Sequence, residues 1–330
     1  MTPTLYSVTV DTEEEWDWDA GWPTGAPSVR NIQQLPQFQD ICDRHGAHVT
    51  YFTNHAVLND AAACRTILEI AERPNVEIGM HIHPWNTPPG IGGDPIRARE
   101  SFLHNYPDDV IEAKLATVYE RFRDVGLRPV SFRGGRYSSG PVVQRFLRKN
   151  GFVADSSVVP FTTWDDDGAP NYRDRDLGAR RLGPSDEASQ PLWEVPLTLG
   201  FTRRPFAWWH RILALFALPG IRHLRLTGIA DRIGLVSRSW LNFETPDGHD
   251  MAPFLKLLQQ MEQPHICFTM HSSSLIAGGN GYVPNEAARQ RVLARVDDTL
   301  GRLRTWGDFV PGTMADIANS LEKQHACSRN

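Results

Sequence analysis

The sequence predicts an α/β fold, with a (β/α) barrel of seven or eight units favoured over an open sheet. Three observations carry that reading. Short β-prone runs alternate with helix-periodic runs along most of the chain, the pattern of parallel strands joined by helical crossovers. The 330 residues supply enough chain for that many units around one core. Four of the predicted strands end in chemistry-bearing side chains, at the end where such barrels carry their sites.

The elements follow in order. Leu5–Val10 is a β-prone run that stops on Asp11. Pro36–His45 has helical spacing, with Phe38 and Ile41 three apart and Gly46 as a stop. Ala47–Thr53 is the next strand and Ala61–Glu72 the next helix, closed by Pro74. Val76–His81 is a third strand. Pro107–Val125 is an amphipathic helix, with Val110, Leu115, Val118 and Phe122 on one side and Gly126 after it. Val130–Arg133 is a strand, and Pro141–Lys149 a helix with proline in its first turn. Phe152–Asp155, Trp193–Pro196 and His265–Met270 are further strands. Asn285–Trp306 is a long final helix, and Phe309–Val310 a last strand.

Two stretches break the alternation, so we expect one domain over 1–330 with an insertion at 163–250. Thr163–Gln190 is polar and rich in Asp, Arg, Gly and Pro, as a long loop is. Arg203–Leu235 packs Phe206, Trp208, Trp209, Ile212, Leu213, Leu215, Phe216 and Leu218 into thirteen residues between arginines. It reads first as an inserted helical subdomain. The second reading is a membrane-surface or lipid-binding element, because the stretch is too short and too charged to span a bilayer.

Composition narrows the class. Apolar content of 41% and charged content of 22% describe an ordinary globular protein, and a net charge of -5 gives no reason to expect nucleic acid. Cys42, Cys64, Cys267 and Cys327 have no C-x-x-C or paired spacing, so no disulfide framework is expected. No signal-peptide pattern precedes the first strand, and acidic residues begin at Asp11. The expected location is therefore cytoplasmic, peripheral to the inner membrane if 203–235 touches lipid.

The chemistry gathers at four strand ends. His81 and His83 sit two apart, and side chains at i and i+2 of a strand leave the same face. Both imidazoles reach one ion in that geometry, and neutral imidazole suits Zn²⁺, Co²⁺ or Ni²⁺ better than Mg²⁺ or Ca²⁺. Asp11 and Glu13 are also two apart, although Glu14, Glu15, Asp17 and Asp19 follow and a solvated acidic loop competes as an explanation. One carboxylate with two histidines leaves a metal open positions, and the other carboxylate is then available as a general base. His271 follows the buried-looking run Ile266–Met270, a place suited to a general acid. Arg133 ends its strand where it can hold a carboxylate, and Gly134 and Gly135 let backbone approach a substrate. Trp16, Trp18, Trp22 and Trp85 are candidates for stacking on sugar rings. The other nine histidines, His249 among them, read as structural or surface residues.

These endings, in this order, resemble the polysaccharide deacetylase family of metal-dependent carbohydrate esterases over roughly residues 4–160 and 262–275. Val8–Glu13 is similar to the family's first motif, Glu77–His81 to its second, Phe132–Tyr137 to its third and Phe268–Ser272 to its fifth; Gly151–Asp155 resembles the stretch leading into the fourth. The resemblance implies a distorted (β/α) barrel with about seven parallel strands, here with an inserted helical and loop segment. It implies a divalent metal, Zn²⁺ first, held by Glu13 and His81, to which the i, i+2 strand geometry adds His83. It implies Asp11 as base, Arg133 orienting it, His271 as acid, and Trp85, Gly135 and Tyr137 at the substrate, the Tyr137 amide serving the oxyanion. Two departures stand out. The usual first motif has adjacent aspartates, so the roles of Asp11 and Glu13 are exchangeable. The usual second motif is H-x-x-x-H, whereas here it is H-x-H with Trp85 four after His81.

The implied substrate is an N-acetylated or O-acetylated sugar of a cell-surface glycan or its precursor, with a lipid-linked form included. Two alternatives stay open. One is a metal-dependent amidohydrolase or deaminase on a small cyclic amide, whose H-x-H usually lies on the first strand. The other is a non-catalytic glycan-binding relative.

Overall fold

The computed structural model describes residues 3–328 apart from 19–20, 23–26, 91–95, 184–190, 219 and 246–249. His249 and the end of the predicted polar loop lie outside the described residues. The first half alternates as expected: β1 (Thr4–Thr12), α1 (Leu35–Arg44), β2 (Val49–Thr53), α2 (His55–Asn59), α3 (Ala61–Ala71), β3 (Val76–Ile82), α4 (Asp108–Asp124), β4 (Ser131–Gly134), α5 (Pro141–Lys149) and β5 (Ala154–Asp155). The middle holds short strands β6 (Thr162–Thr163), β7 (Asn171–Tyr172), β8 (Arg180–Leu182), β9 (Leu192–Glu194) and β10 (Leu199–Phe201), then α6 (Phe206–Phe216), α7 (Leu226–Arg232) and β11 (Arg238–Trp240). The chain finishes with α8 (Ala252–Gln260), β12 (His265–His271), α9 (Glu286–Trp306), β13 (Phe309–Pro311) and α10 (Met314–Cys327).

The main sheet runs β12-β1-β2-β3-β4-β5-β9-β8. The seven strands from β12 to β9 pair in parallel, and only β8 joins antiparallel. This is the expected α/β arrangement of about seven parallel strands, curled into a partial barrel. β1 lies second in this order, between β12 and β2, and is buried along nearly its whole length, as a parallel strand covered on both faces must be. The open side between β9 and β12 is bridged by irregular chain: Leu241 N–H donates to the Thr198 carbonyl, and Thr269 of β12 exchanges backbone hydrogen bonds with Leu241 and Phe243.

Local signals explain most boundaries. Asp60 caps α3 by accepting from the Ala62 and Ala63 amides. Asn285 caps α9 in the same way, and Gly307 ends it in the left-handed region. Three helices have no counterpart in the sequence reading: the short α2, α8 and α10. The helix over Asn285–Trp306 is not the last one: α10 follows it, opened by a Thr313–Asp316 capping box. α8 starts with a proline in its first turn. Inside 163–250, β8 and β9 belong to the main sheet, while β10 and β11 form a separate antiparallel ribbon.

A buried lysine fixes the loop behind β3. Lys114 comes from the apolar face of α4 and is 1% exposed. Its ammonium donates to the carbonyls of Pro84, Thr87 and Pro89 at 2.8, 2.6 and 2.7 Å, and it lies 5.3 Å from the Tyr106 ring. Burial depresses its pKa to about 8. The loop it grips begins directly after His83. Lys114→Met leaves three carbonyls without their donor, so urea unfolding should report a loss of about 3 kcal/mol. A change within about 0.5 kcal/mol, the usual range of a surface substitution, would contradict this anchoring role.

Candidate active site

Sheet register brings four strand ends to one rim. Asp11 of β1 lies opposite His271 of β12, and His81 of β3 lies opposite Arg133 of β4. Glu13 continues from β1 across this rim. Asp11, Glu13, His81 and His83 are all buried to 3% exposure or less, so the acidic run does not begin as a solvated loop.

Glu13 Oε2 lies 3.2 Å from His81 Nε2 and 3.1 Å from His83 Nε2. The two Nε2 atoms are 3.1 Å apart. Each ring is turned by its other nitrogen: His81 Nδ1–H donates to the Arg133 carbonyl at 2.7 Å, and His83 Nδ1–H to Glu14 Oε1 at 2.8 Å. Both Nε2 atoms therefore face the Glu13 carboxylate, with outer partners of the kind that orient metal-ligating histidines. Ligand atoms about 2.0–2.1 Å from a tetrahedral ion stand about 3.3 Å from one another, so the triangle fits a divalent cation of zinc size. Charge favours a cation as well. Burial presses His83 down, but Glu14 and Glu13 outweigh it and hold His83 up to about 10. Burial presses Glu13 up, but His83 and His81 hold it well below the usual carboxylate range.

Beside this triangle lies a buried ion pair. Arg133 is fully buried and donates from Nη1 to Asp11 Oδ1 at 2.6 Å. Its Nε and Nη2 donate to the carbonyl and hydroxyl of Ser156, both at 3.1 Å, and its plane lies 4.4 Å from the Phe52 ring. Asp155 shapes that turn by accepting from Ser139 and from the amide and hydroxyl of Ser157. The stretch that resembled the approach to a fourth motif thus supports Arg133 from below.

His271 occupies the third corner. Its Nδ1–H donates to Glu244 Oε2 at 2.8 Å, and its amide donates to Glu244 Oε1 at 2.9 Å. Burial presses His271 down, but Glu244, with help from Glu13 and Asp11, raises it to about 10. Trp18 packs edge-on at 5.0 Å.

A cavity of about 600 Å³ opens over this floor, with Asp11, Glu13, His81, His83 and His271 in it. Its walls are largely aromatic: Trp16, Trp18, Trp22, Tyr137, Trp164, Trp240 and Tyr282. The indole N–H groups of Trp16, Trp18 and Trp240 are buried and find no protein acceptor among the described residues. Tyr137 stacks on Trp164 at 5.8 Å. It sits on a turn where both Arg136 and Tyr137 take left-handed backbone (φ 50 and 59), a costly conformation for side-chain-bearing residues.

Two expected substrate contacts need correction. Trp85 does not line the cavity; it is 3% exposed and stacks behind His83 at 4.1 Å, with its Nε1–H on Glu14. Gly135 does not open backbone to the cavity either. A Cβ there would run into the His83 ring and the Ile82 carbonyl, so its lack of a side chain makes room for a histidine.

Two site residues escaped the sequence reading. Glu14 belongs to the acidic run that also reads as a solvated loop, yet it is 0% exposed and joins His83, Trp85 and Asn54. Its signal was available: it is the third acid at a strand end that already carries two. Glu244 had no local signal. It lies 27 residues before His271, and only the chain bridging β9 to β12 brings it there.

The chain matches no family model and no curated protein sequence. It is similar in structure to a candidate polysaccharide deacetylase from Mycobacterium smegmatis, with a TM-score of 0.54 and 15% identity over 98% of this chain and 92% of that one. It is similar to Puue allantoinase, with a TM-score of 0.55 and 11% identity over 98% and 90%. It is also similar to 4-alpha-glucanotransferase from Thermococcus litoralis, with a TM-score of 0.53 and 8% identity over 97% of this chain but 40% of that one. The chain therefore has the curled (β/α)-barrel fold found among polysaccharide deacetylases, the fold its strand-end motifs led us to expect.

Proposed function

We propose that this protein is a metal-dependent deacetylase that hydrolyses an N-acetyl or O-acetyl group on a sugar of a cell-surface glycan or its precursor. The observation that carries the reading is a single aromatic-walled cavity whose floor holds the Glu13–His81–His83 triangle, the Asp11–Arg133 pair and the His271–Glu244 pair. Zn²⁺ is the ion we assign, with Co²⁺ or Ni²⁺ as substitutes. When bound, such an ion polarises a carbonyl oxygen and makes water more acidic.

The chain's own residues supply the rest. Asp11 accepts the proton of the attacking water, and Arg133 holds its carboxylate in position. The Tyr137 amide is the donor we assign to the developing oxyanion. His271, kept protonated by Glu244, gives its proton to the leaving nitrogen or oxygen as the acyl bond breaks, and acetate departs. Trp16, Trp18 and Trp22 offer faces for sugar rings, and the unpartnered indole N–H groups offer donors to hydroxyl or acetyl oxygens.

The fold is shared with an allantoinase as well, so a small cyclic amide is the second reading. The cavity weighs against it. A pocket of about 600 Å³ lined by nine aromatic side chains has room for a sugar unit and its neighbour.

Acetate release from N-acetylated and O-acetylated glycans, assayed beside ammonia release from cyclic amides, separates the readings. We expect acetate, with loss of both bound metal and at least about 1,000-fold in rate in His81→Ala. Ammonia as product, or full activity in His81→Ala freed of metal, would overturn the proposal.

The pH profile tests His271 separately. As the acid it must carry a proton, so the rate falls as pH rises through its pKa. Because that pKa is raised to about 10, the alkaline limb of kcat/KM should lie high. Glu244→Gln removes the anion that raises it, and the limb should move about 1–3 pH units lower. An unmoved limb would exclude His271 as the acid.

A further inference from the structure

The exposed apolar surface of this protein is concentrated in one place. Of eight large apolar side chains that stand exposed among the described residues, seven lie between 208 and 235. They are Trp208, Leu215, Leu218, Leu224, Ile229, Ile233 and Leu235, with Ile233 69% exposed. Soluble surfaces rarely gather such residues without a use for them.

The same stretch is strongly basic. Residues 203–235 contain six arginines and one acid, Asp231, in a chain whose net charge is -5. Asp231 is engaged by the Ser237 hydroxyl. Arginines and apolar residues share the outward stripes. Trp208, Arg211, Leu215 and Leu218 fall on one line of α6 and its extension, and Ile229, Arg232 and Ile233 on one line of α7 and its C-cap, with Arg225 exposed at its N-cap. The opposite side is seated on the protein. Phe206 packs against Phe161, Phe201 and Phe254, and Trp209 and Leu213 lean on the core.

We propose that the α6–α7 hairpin docks this protein on an anionic lipid bilayer. Interleaved arginine and apolar side chains suit the headgroup–acyl boundary, where arginine stems lie along apolar chains and the guanidinium meets phosphate. Two copies of this chain would oppose arginine to arginine across an isologous contact, which disfavours a second copy as the occupant. Among the described residues no helix is long and apolar enough to cross a membrane, so the proposed contact is with the surface.

Topology ties this surface to the cavity. The hairpin connects β10 to β11, and Leu199, Arg238, Ser239 and Trp240 of that ribbon line the cavity wall. α6, which leads from that ribbon into the apolar surface, is about 16 Å long. Resting on the deacetylase reading, the docked substrate class is an acetylated sugar carried on a lipid.

Co-sedimentation with vesicles tests the docking directly. The unaltered protein should pellet with vesicles containing phosphatidylglycerol and stay in the supernatant with phosphatidylcholine alone. Binding should weaken as salt approaches 1 M, where the screening length falls to about 3 Å. Trp208→Ser/Leu215→Ser/Ile233→Ser should lower the partition coefficient about tenfold or more. Arg211→Gln/Arg225→Gln/Arg232→Gln should abolish the preference for the anionic lipid. Both variants should keep the acetate release of the unaltered protein on a soluble acetylated oligosaccharide, a control that reads the deacetylase proposal separately. Absence of pelleting with either vesicle would overturn the docking. So would equal pelleting of the apolar variant, or a dimer that the apolar substitutions dissolve and that binds no vesicle.

Discussion

The barrel mouth depends on one fully buried arginine. Arg133 reaches from β4 to Asp11 of β1 with its guanidinium, while its own carbonyl receives the His81 Nδ1 proton. One residue therefore sets the position of the Asp11 carboxylate and the tautomer of a histidine in the metal-fitting triangle. Such a charge survives burial only with every donor directed, and here Asp11, the two oxygens of Ser156 and the face of Phe52 receive it. Strands β1, β3 and β4 are thereby held in a common register at the one rim where their ends carry chemistry.

A ring of carboxylates completes the arrangement. Glu14 turns His83 and Glu244 turns His271, each through Nδ1, so both rings present Nε2 to the cavity. The two anions act differently. Glu14 sits behind a ring whose Nε2 faces Glu13, which suits a ligand. Glu244 sits behind a ring exposed to the cavity, which suits a proton donor. The tryptophans of the loop after β1 lie over both: Trp16 is edge-on to His83 at 5.4 Å and Trp18 to His271 at 5.0 Å. Glu15 anchors that loop by accepting from the Ser28 hydroxyl and the Asn31 amide.

Periodicity made the sheet legible, since each parallel strand is a short buried run bounded by helix caps and glycines. Residue type at strand ends made Asp11, Glu13, His81, His83, Arg133 and His271 visible as a group, because register in a parallel sheet carries such ends to a common rim. Partners contributed by distant chain were not legible. Glu244 reaches His271 only through irregular backbone that closes the sheet, and no local pattern encodes that path. Lys114 reads as an ordinary polar interruption of an amphipathic helix until three loop carbonyls are seen around it. Neighbours in sequence place Trp85 and Gly135 near the substrate, but both pack against the His83 ring. The H-x-H spacing has its physical account in the same place: adjacent in-facing positions on β3 and just beyond it bring two Nε2 atoms within 3.1 Å.

The central claim is that His81, His83 and Glu13 jointly hold one divalent ion. X-ray absorption at the zinc edge of the zinc-loaded protein measures this most directly. The account predicts two imidazole nitrogens and carboxylate oxygen at about 2.0–2.1 Å, with one imidazole lost in His83→Ala. A first shell with fewer than two imidazoles in the unaltered protein, or a spectrum unchanged in His83→Ala, would contradict it.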